Sequence, residues 1–172
     1  MARLPIRLYG DPVLRTKARE VEEVDESLRR LAEDMVETMQ DADGVGLAAN
    51  QVGDLRRVIA VNFGENDGAG DVKVLVNPEI TERNGSMRIV EGCLSIPEID
   101  EEVERAASVT VDYVGLNGGK ESIEVSGLHS AVLQHEIDHL DGILFVDRIS
   151  PVRRRLLRGA LKKIVRTSKK PA

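Results

Sequence analysis

The sequence predicts a single α+β domain spanning residues 1–172, and three features carry that prediction. Helical periodicity marks two stretches near the ends and one before the last, short alternating apolar runs cluster between them, and no repeat or linker divides the chain. With 172 residues and 41% of them apolar, the chain can bury one continuous core.

The chain opens extended, with a turn at Gly10-Asp11-Pro12. From Asp25 to about Gln40, Leu28, Leu31, Met35 and Met39 recur at helical spacing, and Asp25 is placed to cap the first turn. Asp41 to Gly53 reads DADGVGLAANQVG, whose glycines and small residues predict a close-packed loop. Strands are expected over Arg57 to Asn62 and Val72 to Asn77, separated by a mobile turn from Gly64 to Asp71. An extended run from Met87 to Glu91 leads into EGCLSIP. Val109, Val111 and Tyr113 then alternate with polar residues, and Asn117-Gly118 offers a hairpin turn into Ile123 to Val125. A second helix is expected from Leu128 to Leu140, closed near Gly142. A third, basic one starts at Pro151 and covers about residues 151–168, with Leu156, Leu157, Ala160, Leu161, Ile164 and Val165 on one face.

Composition narrows the setting. A lone cysteine cannot close an intramolecular disulfide and suits a reducing compartment. The N-terminus lacks an apolar signal core and turns acidic early, and charges interrupt every hydrophobic stretch well short of the roughly 20 residues that cross a bilayer. A soluble, cytoplasmic protein with no membrane partner is expected. The net charge of -6 hides an asymmetry: the segment from Pro151 to Ala172 holds nine Lys/Arg and no acid, while the rest is strongly acidic. Such a tail either meets a polyanion such as nucleic acid or is simply a solvated helix face.

The second helix carries QHEIDHLDG, and within it His135-Glu136-x-x-His139. Histidines four apart share one helix face, so both imidazoles can reach one metal ion while Glu136 projects beside them. That is the pattern of a metal-activated hydrolase. A hydrolytic site needs three protein ligands and one open position. Metallopeptidases commonly supply the third after the second histidine, but downstream of His139 the only acids are Asp141 and Asp147, and Asp141 sits on the end of the same helix. Upstream stands Cys93, and a Cys-His-His set provides a charged, soft-donor shell with a vacant fourth site. Packing and nucleophilic attack remain the other readings of this thiol.

Three motifs in fixed order, GVGLAANQ (Gly44 to Gln51), EGCLS (Glu91 to Ser95) and QHEIDHLDG (Gln134 to Gly142), make the chain resemble the peptide deformylases. The opening YGDPVLR and the basic helix after ISP extend the likeness over nearly the whole length. The resemblance implies mixed or antiparallel β-sheets packed around a central helix carrying the HExxH motif, with a C-terminal helix. It implies a hydrolase that removes the N-formyl group from the initiator methionine of nascent polypeptides and releases formate. Cys93, His135 and His139 would hold one divalent metal, ferrous iron in the cell with zinc, nickel or cobalt as substitutes, and Glu136 would be the general acid/base. The Gln51 side-chain amide and the Leu94 backbone N–H would stabilise the developing oxyanion. Gly44 and Gly46 would let the backbone approach an extended substrate, and Val45, Leu128 and Val132 would surround the methionine side chain. Glu91 and Gln134 would orient the ligands or the turn around Cys93, Asp138 would do likewise, and His129, roughly a third of a turn off the metal face, would not ligate.

Two positions depart from the family pattern. Asp100 stands where many members carry a basic residue that helps hold the peptide, and Asn50 replaces a common Ser, Thr or Pro. The rival readings are a metallopeptidase of other specificity, which needs a third ligand after His139, and a ribosome- or RNA-binding module with a structural metal, which needs a fourth protein ligand. Ribosome contact through the basic C-terminal helix is compatible with catalysis.

Overall fold

The computed structural model describes residues 2–64 and 70–169. The turn expected at Gly64 to Asp71 lies mostly outside them, as do the last three residues of the basic segment. After a short 3-10 turn over Pro12–Arg15, α1 runs Glu26–Asp41, capped as expected by the Asp25 carboxylate, which accepts from Leu28 N–H at 2.8 Å. The strands are β1 Gly46–Ala48, β2 Val58–Asn62, β3 Val72–Asn84, β4 Met87–Cys93, β5 Ile96–Arg105, β6 Ser108–Val114 and β7 Lys120–Ser126, followed by α2 Leu128–Leu140 and α3 Pro151–Ser168.

All strand pairs are antiparallel. Five strands form one sheet in the order β1-β2-β3-β6-β7, and β4-β5 form a separate hairpin. β2 is buried on both faces: Val58 and Ala60 pack with Leu28, Leu31, Met35 and Met39 of α1, while Ile59 and Val61 pack with Leu133, Ile137 and Leu140 of α2. A third cluster joins Ile96, Ile99 and Val103 of β5 to Phe145 and to Leu161 of α3. Residues 130–140 of α2 are therefore covered on every side, as the fold class requires of a central helix.

Several boundaries differ from the sequence-based expectation. The predicted loop over residues 41–53 contains β1 and a 3-10 turn, Ala49–Val52, because Gly46 to Ala48 pair with β2 although they carry no strand propensity. β3 continues past Pro78, since Asn77 takes a left-handed conformation (φ 49°), the ladder shifts register between Val76 and Glu79, and the Asn77 amide bonds the backbone of Val21 at 2.8 Å. β5 was masked by Pro97 and by the acidic run after Ile99. On α3, Leu156 and Ala160 face outward, because the helix packs its apolar side chains on the body along the stripe of Leu157, Leu161, Ile164 and Val165.

Candidate metal centre

β4 delivers Cys93 to the flank of α2. A register shift between Glu91 and Cys93 kinks the strand, and the turn at Leu94-Ser95 follows at once. The Cys93 Sγ lies 3.3 Å from His139 Nε2, which lies 3.1 Å from His135 Nε2, and all three donor atoms fall within 4.8 Å of one another. Among the described residues this is the one cluster of three or more such donors. A tetrahedral ion with ligand bonds of about 2.0–2.3 Å separates its donors by roughly 3.3–3.6 Å, so the cluster fits the face of such a site. The alternative of a thiol simply packed in the core does not explain why two imidazole nitrogens converge on it.

The histidines are held for that orientation. His135 Nδ1 meets Glu91 Oε1 at 2.7 Å, which turns Nε2 toward the thiol. Arg105, 4% exposed, grips both Glu91 oxygens at 2.6 and 2.8 Å and donates to Asp138 at 2.7 Å. Asp138 also accepts from Arg148 at 2.5 and 2.7 Å. Burial alone would raise the Glu91 pKa, but the Arg105 guanidinium and His135 outweigh it and hold the carboxyl at about 2. Burial, reinforced by His135, pushes His139 well below the ordinary imidazole range and keeps it neutral. Against the same desolvation, Cys93 and Glu91 raise His135 well above it, so the field here favours a cation.

Glu136, 4% exposed, leaves Oε2 without a hydrogen-bond partner, and burial raises its pKa to about 7 despite the opposing charge of His135. Gly46 makes this position possible. A Cβ there would sit 2.6 Å from Glu136 Oε1, so this glycine leaves room for the carboxylate itself. Gln51 is anchored from the other side: its Oε1 accepts from Ala48 N–H at 2.9 Å, and its Nε2 faces Ser95 Oγ at 3.1 Å and Cys93 Sγ at 3.6 Å.

These groups line a cavity of about 330 Å³. Gly44, Val45, Gly46, Gln51, Cys93, Leu94, Leu128, Val132, His135 and Glu136 all lie on it; Val45 and Leu128 are half exposed at its rim and Val132 is buried. The sequence reading missed Ile89, Val90 and Ala131, which also line it. Ala131 was legible from its place one helical turn before His135, whereas Ile89 and Val90 depend on the unforeseen hairpin. It missed Arg105 as well. Gln134 does not orient ligands: its amide bonds the backbone N–H and C=O of Ala106 at 3.0 Å and ties α2 to the turn before β6. Asn50, one of the two departures from the family pattern, is buried, and its amide donates to the His139 carbonyl. His129 packs on Phe63, with ring centroids 5.4 Å apart, away from the cluster. Asp141, the acid nearest after His139, is tied to Arg57 at 2.8 Å.

Comparison with known proteins gives a consistent picture. The family described as polypeptide deformylase matches residues 3–155. A peptide deformylase of Alkalilimnicola ehrlichii is 49% identical over 166 residues, covering 96% of this chain and 93% of that one. One from Syntrophobacter fumaroxidans is 46% identical over 163 residues, covering 95% and 96%. The crystal structure of a peptide deformylase from Legionella pneumophila superposes with a TM-score of 0.90 at 42% identity, covering 99% of this chain and 100% of that one.

Proposed function

The chain belongs to the peptide deformylase family, metal-dependent hydrolases that remove the N-formyl group from the initiator methionine of nascent polypeptides, and on that premise we propose how its own residues divide the work. Cys93, His135 and His139 would hold the ion, which would supply polarisation of the formyl carbonyl and activation of the attacking water. Glu136 takes the proton from the attacking water and delivers it to the departing amine; its burial, which favours the neutral carboxyl, helps it accept that proton. Gln51 Nε2 and the Leu94 N–H donate to the formyl oxygen as its charge develops, and an amide does this without titrating. Gly44, Val45 and Gly46 on one side and β4 on the other receive an extended peptide, because β1 and β4 each lie at the edge of their sheet and leave backbone groups unpaired. Val45, Leu128 and Val132 enclose the methionine side chain.

The observation that carries this reading is the convergence of one thiol and two imidazole nitrogens beside a buried, unpartnered carboxylate on the wall of an open cavity. The rival readings find less support. A metallopeptidase site needs a ligand after His139, and Asp141 is engaged by Arg57. A closed structural site needs a fourth donor, and the cluster among the described residues has three.

We further propose ferrous iron as the cellular metal, with zinc, nickel or cobalt able to replace it; the donor set accepts any of them, and availability decides. No helix among the described residues is long and apolar enough to cross a membrane, and we propose a cytoplasmic enzyme built as one domain. Phe145 of the third core cluster stacks on His135, centroids 6.1 Å apart, which supports one folding unit. We propose that the outer, basic face of α3 meets the ribosome. Because Leu161 is buried in the core, charge reversal at Arg155, Arg158 and Lys162 tests this better than deletion; unchanged ribosome pelleting would refute it.

The deciding experiment is formate release from a formyl-methionyl tripeptide by protein prepared without oxygen and loaded with ferrous iron, beside Glu136→Ala. Turnover that needs Glu136 while both proteins retain metal supports the assignment; undiminished turnover in the variant refutes the role of Glu136. Exposure to air should abolish activity of the iron form and spare the nickel form.

A further inference from the structure

Two polar atoms on side chains in contact with one another are buried without a hydrogen-bond partner among the described residues: Oδ1 of Asn50 and Nδ1 of His139. Asn50 is 0% exposed and His139 1%. The residues meet where the Asn50 amide nitrogen donates to the His139 carbonyl. That bond fixes which way the amide faces, since turning it over would set its oxygen against the carbonyl oxygen. Across the imidazole, Nε2 faces Cys93 Sγ at 3.3 Å and His135 Nε2 at 3.1 Å. A histidine that offers Nε2 to a metal carries its proton on Nδ1 and gives it to an acceptor, which sets the tautomer and the angle of the ring. For His135 that acceptor is Glu91, at 2.7 Å. For His139 the nearest counterpart is the leftover oxygen of Asn50.

We propose that Asn50 is the positioning residue of His139 and holds it at two points, an inference that rests on reading Cys93, His135 and His139 as a metal centre. Its Nδ2 grips the backbone carbonyl, and its Oδ1 secures the ring through one buried water that accepts from Nδ1–H and donates to Oδ1. Polar groups inside a folded core are almost always satisfied, and a donor and an acceptor left over in one buried contact meet the least that an interior water requires. The position departs from the family pattern, and the departure has a physical consequence. Proline there offers no polar side-chain atom and serine or threonine a single oxygen, whereas an amide can hold carbonyl and ring together. Asn50 does not line the cavity, so it acts on the reaction through its neighbours. It shares the 3-10 turn Ala49–Val52 with Gln51, whose Nε2 lies 3.6 Å from Cys93 Sγ, and consecutive residues of that turn thereby engage two of the three ligands.

The test is heteronuclear NMR of zinc-loaded protein carrying isotope-labelled histidine, beside zinc affinity measured by chelator competition. Wild type should show slowly exchanging Nδ1–H signals for both His135, held by Glu91, and His139, held through Asn50. Asn50→Leu keeps the volume and removes both polar atoms. It should shift the His139 signal and speed its exchange, leave the His135 signal in place, and weaken zinc binding about 10- to 100-fold. Asn50→Thr should fall between the two and carries the comparison if the leucine variant does not fold. A wild-type His139 N–H that exchanges as fast as that of the half-buried His129 overturns the proposal. So do variants that melt at lower temperature yet keep the His139 signal and the zinc affinity, because Asn50 would then only pack. Wild-type protein that binds no zinc would instead count against the metal centre itself.

Discussion

The Glu91 carboxylate lies 2.7 Å from His135 Nδ1 and turns the opposite ring nitrogen toward Cys93 and His139. Its strength as an acceptor comes from its charge, which Arg105 secures through both oxygens. Glu91→Gln keeps the shape and removes the charge, so His135 loses basicity and its fixed orientation. Metal affinity is expected to fall about 10- to 100-fold, read by competition with a chromogenic chelator. Unchanged affinity would mean that packing alone positions the ring.

The same carboxyl makes the metal-free protein sensitive to acid. Its folded pKa, about 2, lies below the ordinary 4.5, so the folded state binds its proton less readily than the unfolded chain does. The resulting stabilisation is complete above about pH 4.5 and is lost as pH falls toward 2. Integrated over that window it is on the order of 3 kcal/mol. Urea melts of chelator-treated protein should show wild type losing stability on acidification faster than Glu91→Gln. Parallel curves would assign the acid sensitivity to other carboxylates.

Gly46 tests the placement of the general acid/base without touching its chemistry. Alanine there would put a methyl carbon 2.6 Å from Glu136 Oε1, in a site too buried for the carboxylate to move freely. A displacement of about 1 Å suffices to lower kcat roughly 100-fold. Bound metal should stay unchanged, because neither imidazole is disturbed. A Gly46→Ala enzyme of normal kcat would show that Glu136 has room to adapt.

The residues that bear the chemistry were legible because each sits in a spacing with a mechanical meaning. Histidines four apart on a helix must share a face, and a single cysteine in a tight turn has few roles. Gln51 and Leu94 came from motif resemblance, since nothing in the residues themselves marks an amide or a backbone N–H as a donor to substrate. What stayed hidden was what needs two distant segments at once. Arg105 is one of many charged residues in an acidic strand until β4 and β5 pair and bring it to Glu91 and Asp138. Gly46 reads as room for the substrate backbone until α2 sets Glu136 against it. Likewise β5 offered little local propensity, and Ile96, Ile99 and Val103 become a core face only beside Phe145 and Leu161.

Arg105 and Arg148 both donate to Asp138, yet their removal should have unequal consequences. Arg105 is buried between two carboxylates, and Arg148 has a side chain 41% exposed to solvent. Replacing Arg105 with methionine leaves Glu91 and Asp138 as buried charges, of which Asp138 alone keeps a guanidinium, a loss of about 3–5 kcal/mol. Replacing Arg148 leaves Asp138 paired with Arg105, and screening by water limits the loss to roughly 1 kcal/mol. Thermal melts of the two variants at neutral pH should therefore differ several-fold in their shift. Only Arg105→Met should also weaken metal binding, because only Arg105 touches the carboxylate that orients His135. Equal effects on stability and metal affinity would place the whole network in one role, that of fastening α2 to the turn that follows it.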